Sequence, residues 1–145
     1  MTTKLTKPKV RVLVVDDEPA MLATLEAILC DEFDVVMARS SREALRLLDT
    51  KTFHVVCADY QMPDMNGLEL LQRVSTREEY ISCLLVTGND EYFKREQTGG
   101  FYVLLKPFSP ERLTAIVKQL ANVAHMKRAV NDMLLSQTGR HKRPE

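Results

Sequence analysis

Apolar residues along the chain fall into five short runs, separated by stretches that carry a helical stripe. Val10 to Val15 is β-branched and almost continuously apolar, the pattern of a strand covered on both faces. Pro19 to Leu29 follows with apolar residues at 21, 22, 25, 28 and 29, one face of a helix. Phe33 to Ala38 predicts a second strand. Ser40 stands three residues before Glu43, a capping-box signature, and Ala44, Leu45, Leu47 and Leu48 continue that helix. Phe53 to Ala58 predicts a third strand, ending at Asp59. Met62 to Gly67 is a loop punctuated by Pro63 and Asn66-Gly67, and Leu68 to Val74 suits a third helix. Ile81 to Val86 predicts a fourth strand ending at Thr87, and Tyr102 to Leu105 a fifth. Ser109 as N-cap, with Pro110 at the first helical position, opens a last helix reaching about Leu135.

Five βα units in series imply an α/β fold, a parallel sheet with helices on both faces. Right-handed crossovers leave few topologies, and a doubly wound five-stranded sheet in flavodoxin-like order is the expected one. In such sheets the working site lies at the carboxyl ends of the strands. Residues 1–8 and 136–145 read as tails.

A chain of 145 residues, 45% hydrophobic, fits one domain with an ordinary core. No apolar run approaches the ~20 residues of a membrane span. The polar N-terminus lacks a signal-peptide core, so a cytoplasmic protein is expected. Cys30, Cys57 and Cys83 lie 27 and 26 residues apart, neither a zinc spacing nor a secreted disulfide set, and are expected to be reduced core thiols. His54, His125 and His141 share no spacing with them, so no metal role is expected there.

Charge is balanced overall, with 20 basic and 20 acidic side chains, but it is segregated. Residues 1–11 carry Lys4, Lys7, Lys9 and Arg11 and no acid; residues 118–145 carry six basic side chains and two acids. The body between is left with ten basic against eighteen acidic residues, a net charge of −8.

Part of that acidity stands at the strand ends. The first strand ends in Asp16-Asp17-Glu18, the third in Asp59, the fourth in Thr87 and the fifth in Lys106-Pro107. Taken singly, each has a plain reading: an acidic start to a helix, a turn residue, a strand-end β-former, a solvated lysine. Convergence of all of them on one sheet edge calls for another account. Crowded carboxylates repel unless a cation joins them, and Mg²⁺ prefers hard oxygen ligands. A carboxylate can also attack a phosphoryl group, a transfer that needs mainly positioning and neutralised oxygens. Lys106 supplies a cation and Thr87 a hydroxyl donor.

Val14-Val15-Asp16-Asp17-Glu18-Pro19, Asp59 through Gly67, Val86-Thr87-Gly88 and Lys106-Pro107-Phe108 together resemble the receiver domain of two-component response regulators, over roughly residues 9–125. The resemblance implies a (βα)5 receiver fold with Asp59 as phospho-acceptor. It implies Mg²⁺ held by Asp17, Asp59 and the backbone carbonyl of Gln61, with Asp16 acting through water. Thr87 is then the switch hydroxyl and Lys106 the phosphoryl contact, with a cis peptide at Lys106-Pro107. Phosphate is expected from a histidine kinase or phosphotransfer protein, and the receiver is expected to catalyse its own phosphorylation and hydrolysis. No other enzymatic activity is expected.

Three features depart from that pattern. Receivers carry an aromatic three residues before the lysine; here it is Val103, and strand alternation turns Tyr102 to the other face. The segment from Gly88 to Thr98 is about one turn short, so a shortened fourth helix is expected, with Tyr92 and Phe93 plugging the core beneath it or facing a partner. The last helix continues past the sheet as a C-terminal extension over residues 126–145. Positions 113, 120, 127, 134 and 116, 123, 130 sketch a seam broken by Lys127, which suggests a homodimer through that helix.

A phosphorylation-controlled signalling module acting on a downstream protein partner, with no output domain on this chain, is the leading expectation. An alternative is the receiver portion of a longer regulator. An aspartyl-phosphate phosphohydrolase is a poor fit, because Gln61 stands where such an enzyme needs an acid/base. Nucleic acid is not an expected partner: Arg140-His141-Lys142-Arg143 is a small patch without interleaved aromatics. No membrane contact is expected.

Overall fold

The computed structural model describes residues 9–88 and 101–138. Its elements run β1 (Arg11–Val15), α1 (Pro19–Leu29), β2 (Asp34–Ala38), α2 (Ser41–Thr50), β3 (Val55–Asp59), α3 (Gly67–Arg77), β4 (Ser82–Thr87), β5 (Tyr102–Leu105) and α4 (Pro110–Thr138). All five strands are parallel in one sheet of order β2-β1-β3-β4-β5, the expected doubly wound arrangement.

Alternation along each strand divides the core in two. Val12, Val14, Val55, Cys57, Leu84, Val86 and Leu104 face α1 and α4, meeting Leu22, Leu25, Leu29, Leu113, Ile116 and Val117. Leu13, Val15, Val56, Ala58, Cys83 and Leu85 face α2 and α3, meeting Ala44, Leu70, Leu71 and Val74. Each fully buried Leu or Val contributes about 1.5–3 kcal/mol. The near-continuous apolar strands of the sequence are therefore the ones buried from both sides.

Caps set where the helices begin. Ser40 Oγ accepts the Glu43 N–H at 3.0 Å, Asn66 Oδ1 accepts the Glu69 N–H at 2.9 Å, and Ser109 Oγ accepts the Arg112 N–H at 3.1 Å. The capping box at Ser40 is closed one residue early: Glu43 Oε1 accepts from the Arg39 N–H at 2.8 Å, not from that of Ser40.

Three expectations change. Cys57 and Cys83 are buried thiols, but Cys30 is exposed, because it follows the last buried residue of α1 and caps that helix. α4 runs unbroken to Thr138, so residues 136–138 are helix and not tail. The expected seam loses its proximal members, since Leu113, Ile116 and Leu120 pack on the sheet, while Val123 and Val130 of the same register stay exposed. The exposed apolar residues of α4 are Val123, Met126, Val130, Met133, Leu134 and Leu135. The shortened helix expected between Gly88 and Thr98, with Tyr92 and Phe93, and the basic stretch 140–143 lie outside the described residues. No helix among the described residues is long and apolar enough to cross a membrane.

Candidate functional site

The carboxyl ends of β1, β3 and β5 bring the expected groups together. Asp16 follows β1 directly, and its N–H extends the ladder to the Ala38 carbonyl at 3.1 Å. Its side chain is 2% exposed, and Oδ1 accepts the Glu18 N–H at 2.9 Å, which fixes the turn into α1. Burial pushes the Asp16 carboxyl up to about 6; the nearby Asp59 and Asp17 charges push the same way, against the Glu18 N–H and Lys106.

Asp59 ends β3 and is 8% exposed. One oxygen, Oδ2, accepts the Gln61 N–H at 3.1 Å; the other, Oδ1, lies 2.7 Å from Lys106 Nζ. Burial alone would lower the Lys106 ammonium, but its hydrogen bond to Asp59 and the charges of Asp59, Asp16 and Glu18 outweigh this and hold it above its ordinary value. Lys106 is placed by backbone: its N–H donates to the Thr87 carbonyl at 2.9 Å, and the Lys106-Pro107 peptide is cis, as expected.

Carboxylate oxygens of Asp16, Asp17 and Asp59 lie within 4.8 Å of one another. Two of these side chains are buried and Asp17 is exposed, so the cluster opens on one side only. An all-oxygen, acid-rich set with an open side fits a hard divalent cation that keeps part of its water. The open side is a cleft lined by Asp17, Glu18, Asp59, Tyr60, Gln61, Met62, Pro63, Asn66 and Lys106. Gln61 touches Asp59 through its N–H, and Thr87 is buried at the end of β4.

Tyr102 and Val103 lie as alternation required. The β4–β5 register is unbroken from Leu84↔Tyr102 to Thr87↔Leu105, with no bulge. Val103 packs with the α2/α3 core, whereas the exposed Tyr102 has its hydroxyl 3.4 Å from Arg112 Nη2 on α4.

Two residues that shape the site were not singled out from the sequence. A Cβ on Gly67 would come within 2.1 Å of the Asp59 carbonyl oxygen, so only glycine lets α3 start this close to β3. The signal was there as a poor helix former opening a helix. Ser41 Oγ donates to the Met65 carbonyl at 3.0 Å and ties the loop after Asp59 to α2. Nothing in the sequence marked Ser41 beyond its adjacency to the cap at Ser40. At the opposite end of the sheet, His54 and His125 meet with ring centroids 4.7 Å apart, a contact their sequence spacing did not reveal.

Comparison with known proteins settles the family. The model of the response regulator receiver domain matches residues 12–118. The chain belongs to the response regulator receiver family. Among curated relatives of this receiver, the transcriptional regulatory protein TrcR of Mycobacterium tuberculosis is 34% identical over 130 residues, covering 86% of this chain and 51% of TrcR. The two-component response regulator ARR11 of Arabidopsis thaliana is 38% identical over 112 residues, covering 73% of this chain and 21% of its own length. The receiver thus spans about half, or less, of the curated relatives it matches. A solved structure named as the CheY-like receiver domain protein of Methanospirillum hungatei superposes with a TM-score of 0.74 at 26% identity, covering 82% of this chain and 98% of that one. This receiver is a regulatory domain of the two-component type, with an acidic pocket at its strand ends.

Proposed function

We propose that Asp59 is the phospho-acceptor of this receiver. The observation that carries the reading is the single cluster in which three carboxylates lie within 4.8 Å and Lys106 Nζ stands 2.7 Å from Asp59. A carboxylate oxygen of Asp59 bonds to phosphorus as the phosphorus–nitrogen bond of a phosphohistidine donor breaks. The leaving imidazole nitrogen keeps the electron pair and takes a proton from solvent. Hydrolysis reverses the modification: water attacks phosphorus, and the carboxylate and inorganic phosphate are released.

Asp17 and Asp59, with the Gln61 carbonyl, would hold Mg²⁺, and Asp16 would orient its water; the ion supplies neutralisation of the phosphoryl oxygens. Asp16 and Asp17 contribute the charge that makes the pocket select a cation before phosphate arrives. The Lys106 ammonium shifts from the free carboxylate to a phosphoryl oxygen. Thr87 donates its hydroxyl to another, and since Val103 is no aromatic, Thr87 acts without one.

We assign residues 9–125 to the receiver unit and 126–145 to a C-terminal extension. Phosphate comes from a histidine kinase or phosphotransfer protein, and the phosphorylated state changes binding to a downstream protein. The short share of TrcR and ARR11 that the chain covers supports a second reading, the receiver portion of a longer regulator. A cytoplasmic setting suits the unpaired thiols of Cys30, Cys57 and Cys83.

Acetyl phosphate or beryllofluoride with Mg²⁺, applied to wild type and Asp59→Asn and followed by mass spectrometry or NMR, tests the assignment. Modification of wild type alone is the expected result. Modification that persists in Asp59→Asn would overturn it.

A further inference from the structure

Past Ala124 the last helix leaves the sheet with an apolar face still to cover. Val123, Met126, Val130 and Met133 are 37%, 65%, 53% and 58% exposed. Their spacing is three, four, three, which is the a/d pattern of a coiled-coil seam. On a helix of 3.6 residues per turn this stripe lies about 155° around the axis, close to half a turn, from the buried Leu113, Val117, Ala121 and Ala124. Val123 borders the α/β body, sharing a cleft with Phe101 and Tyr102, whereas Met126, Val130 and Met133 are each more than half exposed and open to a second helix.

We propose that the occupant of this stripe is the same stripe on a second copy of the chain, paired in parallel and in register. Three observations select it. First, β-branched side chains stand at both a positions (Val123, Val130) and at neither d position (Met126, Met133), the same placing of β-branching as in two-stranded parallel coils with Val at a and Leu at d. Second, the flanking positions accept parallel pairing. Lys127 at e faces Asn122 at g, and Leu134 at e faces Ala129 at g, so no like charges meet across the seam. An antiparallel pair over the same stripe would bring Lys127 against its own copy, which electrostatics disfavours. Third, α4 keeps its distal half in place without using the stripe. Arg128 lies over the Tyr80 ring at 4.2 Å and donates from Nη2 to the Tyr80 hydroxyl at 3.0 Å, while His125 meets His54. These contacts hold the helix by its other faces and leave the seam presented outward.

Two heptads make a short interface, well below the roughly 1,200–2,000 Å² of stable assemblies, so the dimer is weak on its own. Its dissociation constant belongs on the order of tens to hundreds of micromolar. The seam touches neither Asp59 nor its cleft, so this pairing does not depend on the phosphoryl chemistry proposed above.

The test uses the whole chain in sedimentation equilibrium from about 5 to 500 µM, spanning the expected constant. Wild type should show a monomer–dimer equilibrium, and Val130→Asp should weaken it at least about tenfold, as expected for a charge in a dry seam. Orientation is read with Val123→Cys in a Cys30→Ser background under mild oxidation. Parallel pairing gives a covalent dimer, whereas Asn131→Cys, on the outer face, does not. Folding of each variant is checked by retained acetyl phosphate labelling and circular dichroism. A monomer throughout the range, a Val130→Asp chain that dimerises like wild type, or equal cross-linking at 123 and 131 would each overturn the proposal.

Discussion

Lys106 Nζ stands 2.7 Å from Asp59 Oδ1, so the ammonium already occupies a place beside the carboxylate before any phosphate arrives. Removing it strands a nearly buried charge. Lys106→Ala should destabilise the metal-free chain by about 1–3 kcal/mol, the cost of a buried ionic group without its partner. Mg²⁺ then substitutes for the missing cation. The rise in melting temperature on adding Mg²⁺ should be larger in Lys106→Ala than in wild type; equal rises would show that the pair contributes nothing.

Asp16 sets a pH dependence of its own. Its carboxyl is raised by burial from 3.8 to about 6, so between these values the folded chain binds the proton more tightly than the unfolded chain. Without metal, this group makes stability fall as pH rises through that window, by roughly 3 kcal/mol at about 1.4 kcal/mol per unit. A divalent cation needs the ionised form, so Mg²⁺ affinity should drop about tenfold per pH unit below 6. Calorimetric titration at pH 7 and pH 5 reads this, and an unchanged affinity would exclude Asp16 from the cation's surroundings.

Gly67→Ala should be the most damaging small substitution near the site. The added carbon meets the Asp59 carbonyl oxygen at 2.1 Å and its carbon at 2.8 Å, both backbone, so the start of α3 must move. A loss of about 1–3 kcal/mol in urea unfolding is expected, the usual cost of overpacking. Slower labelling by acetyl phosphate should accompany it, because Asp59 moves too. A variant with wild-type stability and labelling would show that the helix start can shift freely.

His54 gives the opposite sign to Asp16. Burial lowers its pKa, and the charges of His125, Arg128 and Arg11 add to this. Its Nδ1 accepts the Arg11 N–H at 3.3 Å, which requires the unprotonated nitrogen. The unfolded chain therefore binds the proton more readily, and the stabilisation present above pH 6.5 is lost as pH falls below it. Urea midpoints at pH 7.5 and 5.5 should differ more for wild type than for His54→Gln. Parallel behaviour of the two would remove His54 as the origin.

Ser82→Ala should be neutral or stabilising, by up to about 1 kcal/mol. Ser82 Oγ is buried without a hydrogen-bond partner among the described residues, and an alanine carries no such group. Chemical denaturation measures it, and a large loss would reveal a partner for the hydroxyl.

The sheet and its edge were legible because strands buried on both faces must be apolar almost throughout, and each ended in a polar group. Val12 to Val15 followed by Asp16, and Val55 to Ala58 followed by Asp59, mark both the strand and the place where its chemistry stands. What escaped depended on contacts between residues far apart in the chain. Gly67 matters because of the Asp59 carbonyl, Ser41 because of the Met65 carbonyl, and His54 because of His125. The proximal part of the α4 seam was misplaced for a related reason. Periodicity alone does not say which stripe the sheet takes, and the sheet took Leu113, Ile116 and Leu120. Cys30 read as core by residue type, yet it falls just after the last buried turn of α1.

The proposed acceptor pocket draws on residues 16, 17, 59 and 106, delivered by three different strands. No fragment shorter than residues 16–106 contains it. During synthesis Lys106 leaves the ribosome last of these, after most of the sheet has been made, so a nascent or clipped receiver lacks the full pocket. Competence to receive a phosphoryl group is in this sense a proofreading of the fold: only a chain whose sheet has closed from β1 to β5 can carry the signal.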